Sequence, residues 1–140
     1  MLLNPEEQLI GQPVMVHPAL TSDPAGKSGQ VGIITATELE NDNIYVGFGR
    51  KGQGLYGTDA LLILKPLEQI EQNLGERKND LNIANYKALF QISLLRSFAQ
   101  SPANIKTAMS LALQSETVRN LSMRTVEDAI GLNRQQTVER

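Results

Sequence analysis

Two hydrophobic rhythms divide the chain. From Pro13 to Lys65 apolar residues come in short runs with a spacing near two, and from Leu67 onward the spacing lengthens toward 3.6. Pro13-Val14-Met15-Val16-His17 reads as a first strand, with Val14 and Val16 on one face and Met15 and His17 on the other. Gln30 to Thr37 is a second, with Val31, Ile33 and Thr35 facing one way. In a third, Ile44, Val46 and Phe48 share the face that fits a core. Leu55-Tyr56-Gly57 is a short fourth strand, and Leu61–Lys65 a fifth that stops at Pro66. Thr58-Asp59-Ala60 fits a single helical turn between them. Ahead of the strands, Asn4-Pro5-Glu6-Glu7 is a helix start, with Asn as cap, Pro at the first helical position and acids in the first turn. Gly11 can end that helix.

The connections agree with this reading. Pro18 to Gly29 is a long turn-rich loop, and Glu38–Asn43 a hairpin turn whose Asn and Asp tolerate left-handed backbone. Gly49-Arg50-Lys51-Gly52-Gln53-Gly54 is a flexible loop. Eight of the eleven glycines lie between Gly26 and Gly57, so tight turns concentrate in that stretch.

The second half reads as helices. Leu67 to Leu74 is short and ends at Gly75; Asn79 or Asp80 caps a longer helix reaching about Gln100. That helix carries two stripes. Ile83, Tyr86, Phe90, Leu94 and Phe98 form one, and Leu81, Ala88, Ile92, Leu95 and Ala99 lie nearly opposite. Two apolar faces predict a helix covered on both sides. Ser101-Pro102 starts the next helix, with Ile105, Ala108, Met109 and Ala112 buried; a break is expected near Thr117–Ser122, a last helix from Met123 to Ile130 ended by Gly131, and a frayed polar tail at Asn133–Arg140.

The prediction is an α+β chain: residues 1–66 as a lead-in helix plus a five-stranded antiparallel β-barrel, and residues 67–140 as an α-helical bundle. Gly29-Gln30-Val31-Gly32-Ile33-Ile34, Val46-Gly47-Phe48 and Leu55 through Leu64 carry a resemblance to the SH3-like small barrels, including the KOW, Tudor-like and CarD-like types. It covers about 55 residues and is a likeness of fold. It implies binding of peptides, RNA, DNA or protein domains without choosing among them.

Composition narrows the classes. The 140 residues hold a formal net charge of −2, which provides no global drive toward nucleic acid or anionic membrane. Residues 1–66 have four Lys/Arg against seven Asp/Glu, a balance of −3, and residues 67–140 nine against eight, or +1. With no cysteine there is no disulfide, thiol nucleophile or Cys-based zinc site. The N-terminal residues have no basic region or long apolar run, so no signal peptide is read there, and no apolar run approaches the roughly 20 residues that span a bilayer. A cytoplasmic protein without membrane partner is expected.

Gly26-Lys27-Ser28 has the end of a phosphate-binding P-loop, but Thr21 stands where the motif needs glycine, and a strand follows where it needs a helix. His17, with Ser22 and Asp23 near in sequence, has no evident third partner for hydrolase chemistry. The carboxylate pairs Glu6/Glu7, Glu38/Glu40 and Glu127/Asp128 fall on turns or first helical turns, where solvation and the helix dipole account for them. Residues 125–138 have a helix-turn-helix look at Gly131-Leu132-Asn133-Arg134 and Thr137-Val138, weakened by Glu127 where a small residue belongs.

The best binding candidates are Arg50, Lys51, Gln53, Tyr56 and Lys27: cations on a glycine loop, flanked by rings suited to phosphate and base contact. The reading that results is a non-catalytic interaction or adaptor protein without cofactor or metal. Its partner is another protein, bound through the barrel and the helical region, or a second copy through Asp80–Gln100. Nucleic-acid binding through the 49–54 loop is the alternative, and a small hydrolase with His17 the third.

Overall fold

A computed structural model describes residues 5–23, 25–98 and 101–131. It is α+β. Helix α1 (Pro5–Leu9) precedes strands β1 (Pro13–Val16), β2 (Val31–Glu38), β3 (Asn43–Gly47), β4 (Gln53–Tyr56) and β5 (Leu61–Leu64). Helices α2 (Leu67–Arg77), α3 (Ile83–Phe98), α4 (Pro102–Ala112) and α5 (Glu116–Ser122) follow, then β6 (Met123–Thr125). Two compact units result: described residues 5–63 with 125–131, and described residues 64–124.

The sheet runs β4-β3-β2-β1-β5-β6 and is open, with β4 and β6 at its edges. The sequence predicts a closed five-stranded barrel. The sixth strand is three residues long and carries no alternating pattern, so nothing in the local sequence announces it. Short helical turns stand at Leu39–Asn41, Gly49–Lys51 and Thr58–Ala60, the last where one turn was expected.

The strand-rich unit buries Val14, Val16, Ile34, Ile44, Val46, Tyr56 and Leu61 in one cluster, joined by Val126 and Ile130. Residues 126–131 are helical, and the Thr125 hydroxyl accepts the Asp128 N–H at 3.0 Å as their cap. In β2 the core face is Gly32 and Ile34, whereas Ile33 is exposed. A bulge between Ile34 and Ala36 then shifts the register, so Thr37 rather than Ala36 sits opposite buried Ile44. Gly32 has no space for a side chain: a Cβ there would lie 2.6 Å from Val46 Cγ1 and 2.7 Å from the Gly47 carbonyl oxygen.

In the helical unit α3 packs against α2, α4 and α5. Its cap is Asn82, whose Oδ1 accepts the Asn85 N–H at 2.7 Å, rather than Asn79 or Asp80. α2 runs through Gly75 to Arg77. The expected break at 117–122 is instead α5, capped by the Ser115 hydroxyl on the Val118 N–H, and Met123–Thr125 is strand rather than helix. Ser101 caps α4, and Ile105, Ala108, Met109 and Ala112 are its buried stripe, as the pattern predicts. The Asn4 cap, the Ala99–Gln100 end of the long helix, residues 132–138 of the helix-turn-helix reading and the tail lie outside the described residues.

Candidate functional site

Asp23 organises the long loop that follows β1. Its carboxylate accepts the Ala25 N–H at 3.1 Å, the Lys27 N–H at 2.7 Å, the Ser28 hydroxyl at 3.4 Å and the Tyr56 hydroxyl at 3.0 Å. Burial pushes this carboxyl up, but the hydrogen bonds from Lys27, Tyr56, Ala25 and Gly26 outweigh it and hold the pKa below the ordinary value. Of the backbone donors that a phosphate would need at Gly26-Lys27-Ser28, the Lys27 N–H is thus turned toward the Asp23 carboxylate and the Gly26 N–H toward the Asp23 carbonyl, at 2.9 Å. Gly26 supplies the left-handed turn this requires, at φ 68°.

Tyr56 is 6% exposed. Its ring belongs to the core cluster and its hydroxyl ties β4 to the Asp23 loop, so it offers no free face for stacking on a base. Burial, then the Asp23 hydrogen bond and charge, push the Tyr56 hydroxyl pKa up to about 12. Lys27 lies over the Phe48 ring, its Nζ 5.9 Å from the centroid. That contact brings Lys27 to the turn that carries Arg50 and Lys51. Both of these are exposed, as is Gln53, and neither forms an ion pair among the described residues.

His17 Nδ1 accepts the Ala19 N–H at 3.1 Å, a local turn contact. Asp23 is engaged by its own loop and is not aimed at the imidazole. Of the paired carboxylates, Glu38 accepts from the Tyr45 hydroxyl at 3.1 Å, and that bond followed by the Glu38 charge raises the tyrosine pKa. Among the described residues no group of three or more His, Asp or Glu is placed to hold a metal ion, and no helix is long and apolar enough to cross a membrane.

Two features escaped the sequence reading. Asp42 sits in left-handed backbone at φ 57° and accepts both the Thr58 N–H (2.9 Å) and the Thr58 hydroxyl (2.8 Å), stapling the β2–β3 turn to the turn before β5. The Asp23 hub was overlooked as well, although an aspartate two and four residues before free N–H groups in a Gly-containing loop is an Asx-turn pattern.

The helical unit offers a different surface. Of the two α3 stripes, Ala88 and Ile92 are buried, together with Leu89 and Ser93. The other is open: Ile83 is 75% exposed, Phe98 82%, and Phe90 and Leu94 are also exposed. Tyr86 and Phe90 stack within that stripe, ring centroids 6.5 Å apart. The same unit holds Lys65, whose Nζ donates to the Asn120 carbonyl at 2.7 Å; burial first, then the Arg124 charge, lowers its pKa.

No family model matches this chain, and neither a curated protein nor a solved structure matches it.

Proposed function

We propose that this chain is a non-catalytic interaction protein that docks another protein surface along α3. The observation that carries the reading is the open stripe Ile83, Phe90, Leu94 and Phe98 on a helix whose opposite side is already buried. Large apolar side chains left in water on one continuous helix face are the usual mark of a protein contact. A four-turn helix about 24 Å long suits a helix-to-groove or helix-to-helix contact, read out at i, i+7 and i+11 spacings. The nearest partner is a second copy of the chain. Light scattering across concentration tests this: self-association that Phe90→Asp with Phe98→Asp removes supports the seam. A monomer at tens of micromolar rejects the homodimer, and cross-linking to a host protein that the double variant fails to capture then supports a different partner.

Nucleic-acid binding is the second reading, favoured by the Lys27–Phe48 contact that gathers Lys27 with Arg50 and Lys51. With Tyr56 buried it reduces to phosphate contact by three cations and Gln53. It predicts salt-sensitive retention of single-stranded RNA or DNA, lost in Arg50→Ala with Lys51→Ala. Absence of binding at low salt rejects it.

A further inference from the structure

Strand β4 ends the sheet on one side, and its register with β3 shows which of its main-chain groups are free. The pairs are Ile44↔Tyr56, Tyr45↔Leu55, Val46↔Gly54 and Gly47↔Gln53. One step further along, the Phe48 N–H donates to the Gly52 carbonyl at 2.8 Å. Antiparallel pairs alternate between hydrogen-bonded and non-bonded. Phe48/Gly52, Val46/Gly54 and Ile44/Tyr56 are therefore the bonded set. Gln53 and Leu55 aim their N–H and C=O groups away from β3. No main-chain hydrogen bond outside the sheet ladder reaches either residue among those described.

Edges of sheets are ordinarily guarded by charge, proline or cover. Gln53-Gly54-Leu55-Tyr56 has neither charge nor proline, and Leu55 is 52% exposed. The opposite edge, β6, is three residues long and carries Arg124 within it. The β4 edge also has unlike ends. Arg50 and Lys51, without ion pairs, precede it. At the other end Asp42 and Asp59 crowd Gly57, where a Cβ would lie 2.8 Å and 3.2 Å from their carboxylate oxygens.

We propose that β4 is a docking edge for an extended peptide of another protein, which adds as an antiparallel strand with its acidic C-terminal end beside Arg50 and Lys51. Main-chain bonds to Gln53 and Leu55 hold it. Leu55 packs against an apolar side chain of the peptide, and the charged ends set its direction. A basic residue at the peptide N-terminus then meets Asp59. This surface lies in the strand-rich unit and does not depend on the α3 reading.

The test uses the full chain and a labelled heptapeptide of alternating Val and Thr with Lys at its N-terminus and two Glu at its C-terminus. Fluorescence anisotropy is expected to show saturable binding, weakened about tenfold or more by Arg50→Glu with Lys51→Glu. Leu55→Pro removes only an outward N–H, which an edge strand tolerates, and is expected to abolish binding with the melting temperature little changed. Should that variant unfold, the same peptide N-methylated on the N–H groups that face β4 takes its place, and loss of binding is again expected. Phe98→Asp leaves peptide binding unchanged, which separates this result from failure of the α3 reading. Absence of peptide binding, or equal binding of the charge-reversed or N-methylated peptide, overturns the proposal. So does a decauridine oligonucleotide that binds through Arg50 and Lys51 where the peptide does not.

Discussion

The Asp23 loop and the outer face of α3 use their residues in opposite ways. In the loop, groups that look chemical are structural: a carboxylate, a tyrosine hydroxyl and backbone donors are consumed in holding β4 and the chain after β1 together. On α3, residues that look like core are surface: Ile83 and Phe98 stand in solvent. The contrast teaches that residue type alone misplaces function here. A polar group surrounded by donors has spent its binding capacity, whereas an apolar group left in water has not.

That contrast can be broken or sharpened by four measurements. The largest effect is expected at Gly32, whose missing side chain lets β2 lie against β3. Gly32→Ala forces a contact with the Gly47 carbonyl and Val46 and should cost about 3 kcal/mol in urea unfolding. Asp42→Ala strips the buried Thr58 of two hydrogen bonds and is expected to cost about 2 kcal/mol. Asp42→Asn, which keeps an acceptor and tolerates left-handed backbone, should cost less.

Tyr56→Phe removes one hydrogen bond to a charged acceptor, with an expected loss of about 1.5 kcal/mol at neutral pH. It also alters both pH limbs. The folded Asp23 pKa is depressed below the ordinary value of 3.8, so its contribution is present above that pH and is lost as pH falls through the folded pKa. The folded Tyr56 pKa is raised, so its contribution is complete below pH 10 and is lost as pH rises from there toward about 12. Denaturation profiles of Tyr56→Phe should show a shallower alkaline decline, the remainder belonging to Tyr45, and a shallower acid one. An unchanged profile would show that the loop lock carries no stability.

The smallest stability effect belongs to Phe98→Ser, within about 0.5 kcal/mol because the ring is in solvent. The same change is expected to weaken protein association through α3. A large loss of stability there would sink the comparison, since it would make Phe98 a core residue.

Much of the fold was legible locally. The caps at Ser101 and the stripe of α4, the strand face of Ile44 and Val46, and the turn at Thr58–Ala60 follow from short-range pattern. The α3 helix was legible as two-striped, but periodicity cannot say whether a second face finds cover. For the candidate site, the sequence pointed to Arg50, Lys51, Gln53, Tyr56 and Lys27; burial of Tyr56 and the outward register of Gln53 and Leu55 depend on pairing with β3, which is not local information.

What the sequence determined by itself is therefore the division into a strand-rich and a helical stretch, because periods of two and 3.6 are set by backbone geometry within a few residues. Tertiary structure decided the rest. It placed Val126 and Ile130, far along the chain, in the core cluster of the first unit. The open edge of β4 and the bare face of α3 also emerge only there, because burial is a property of what the rest of the chain brings alongside.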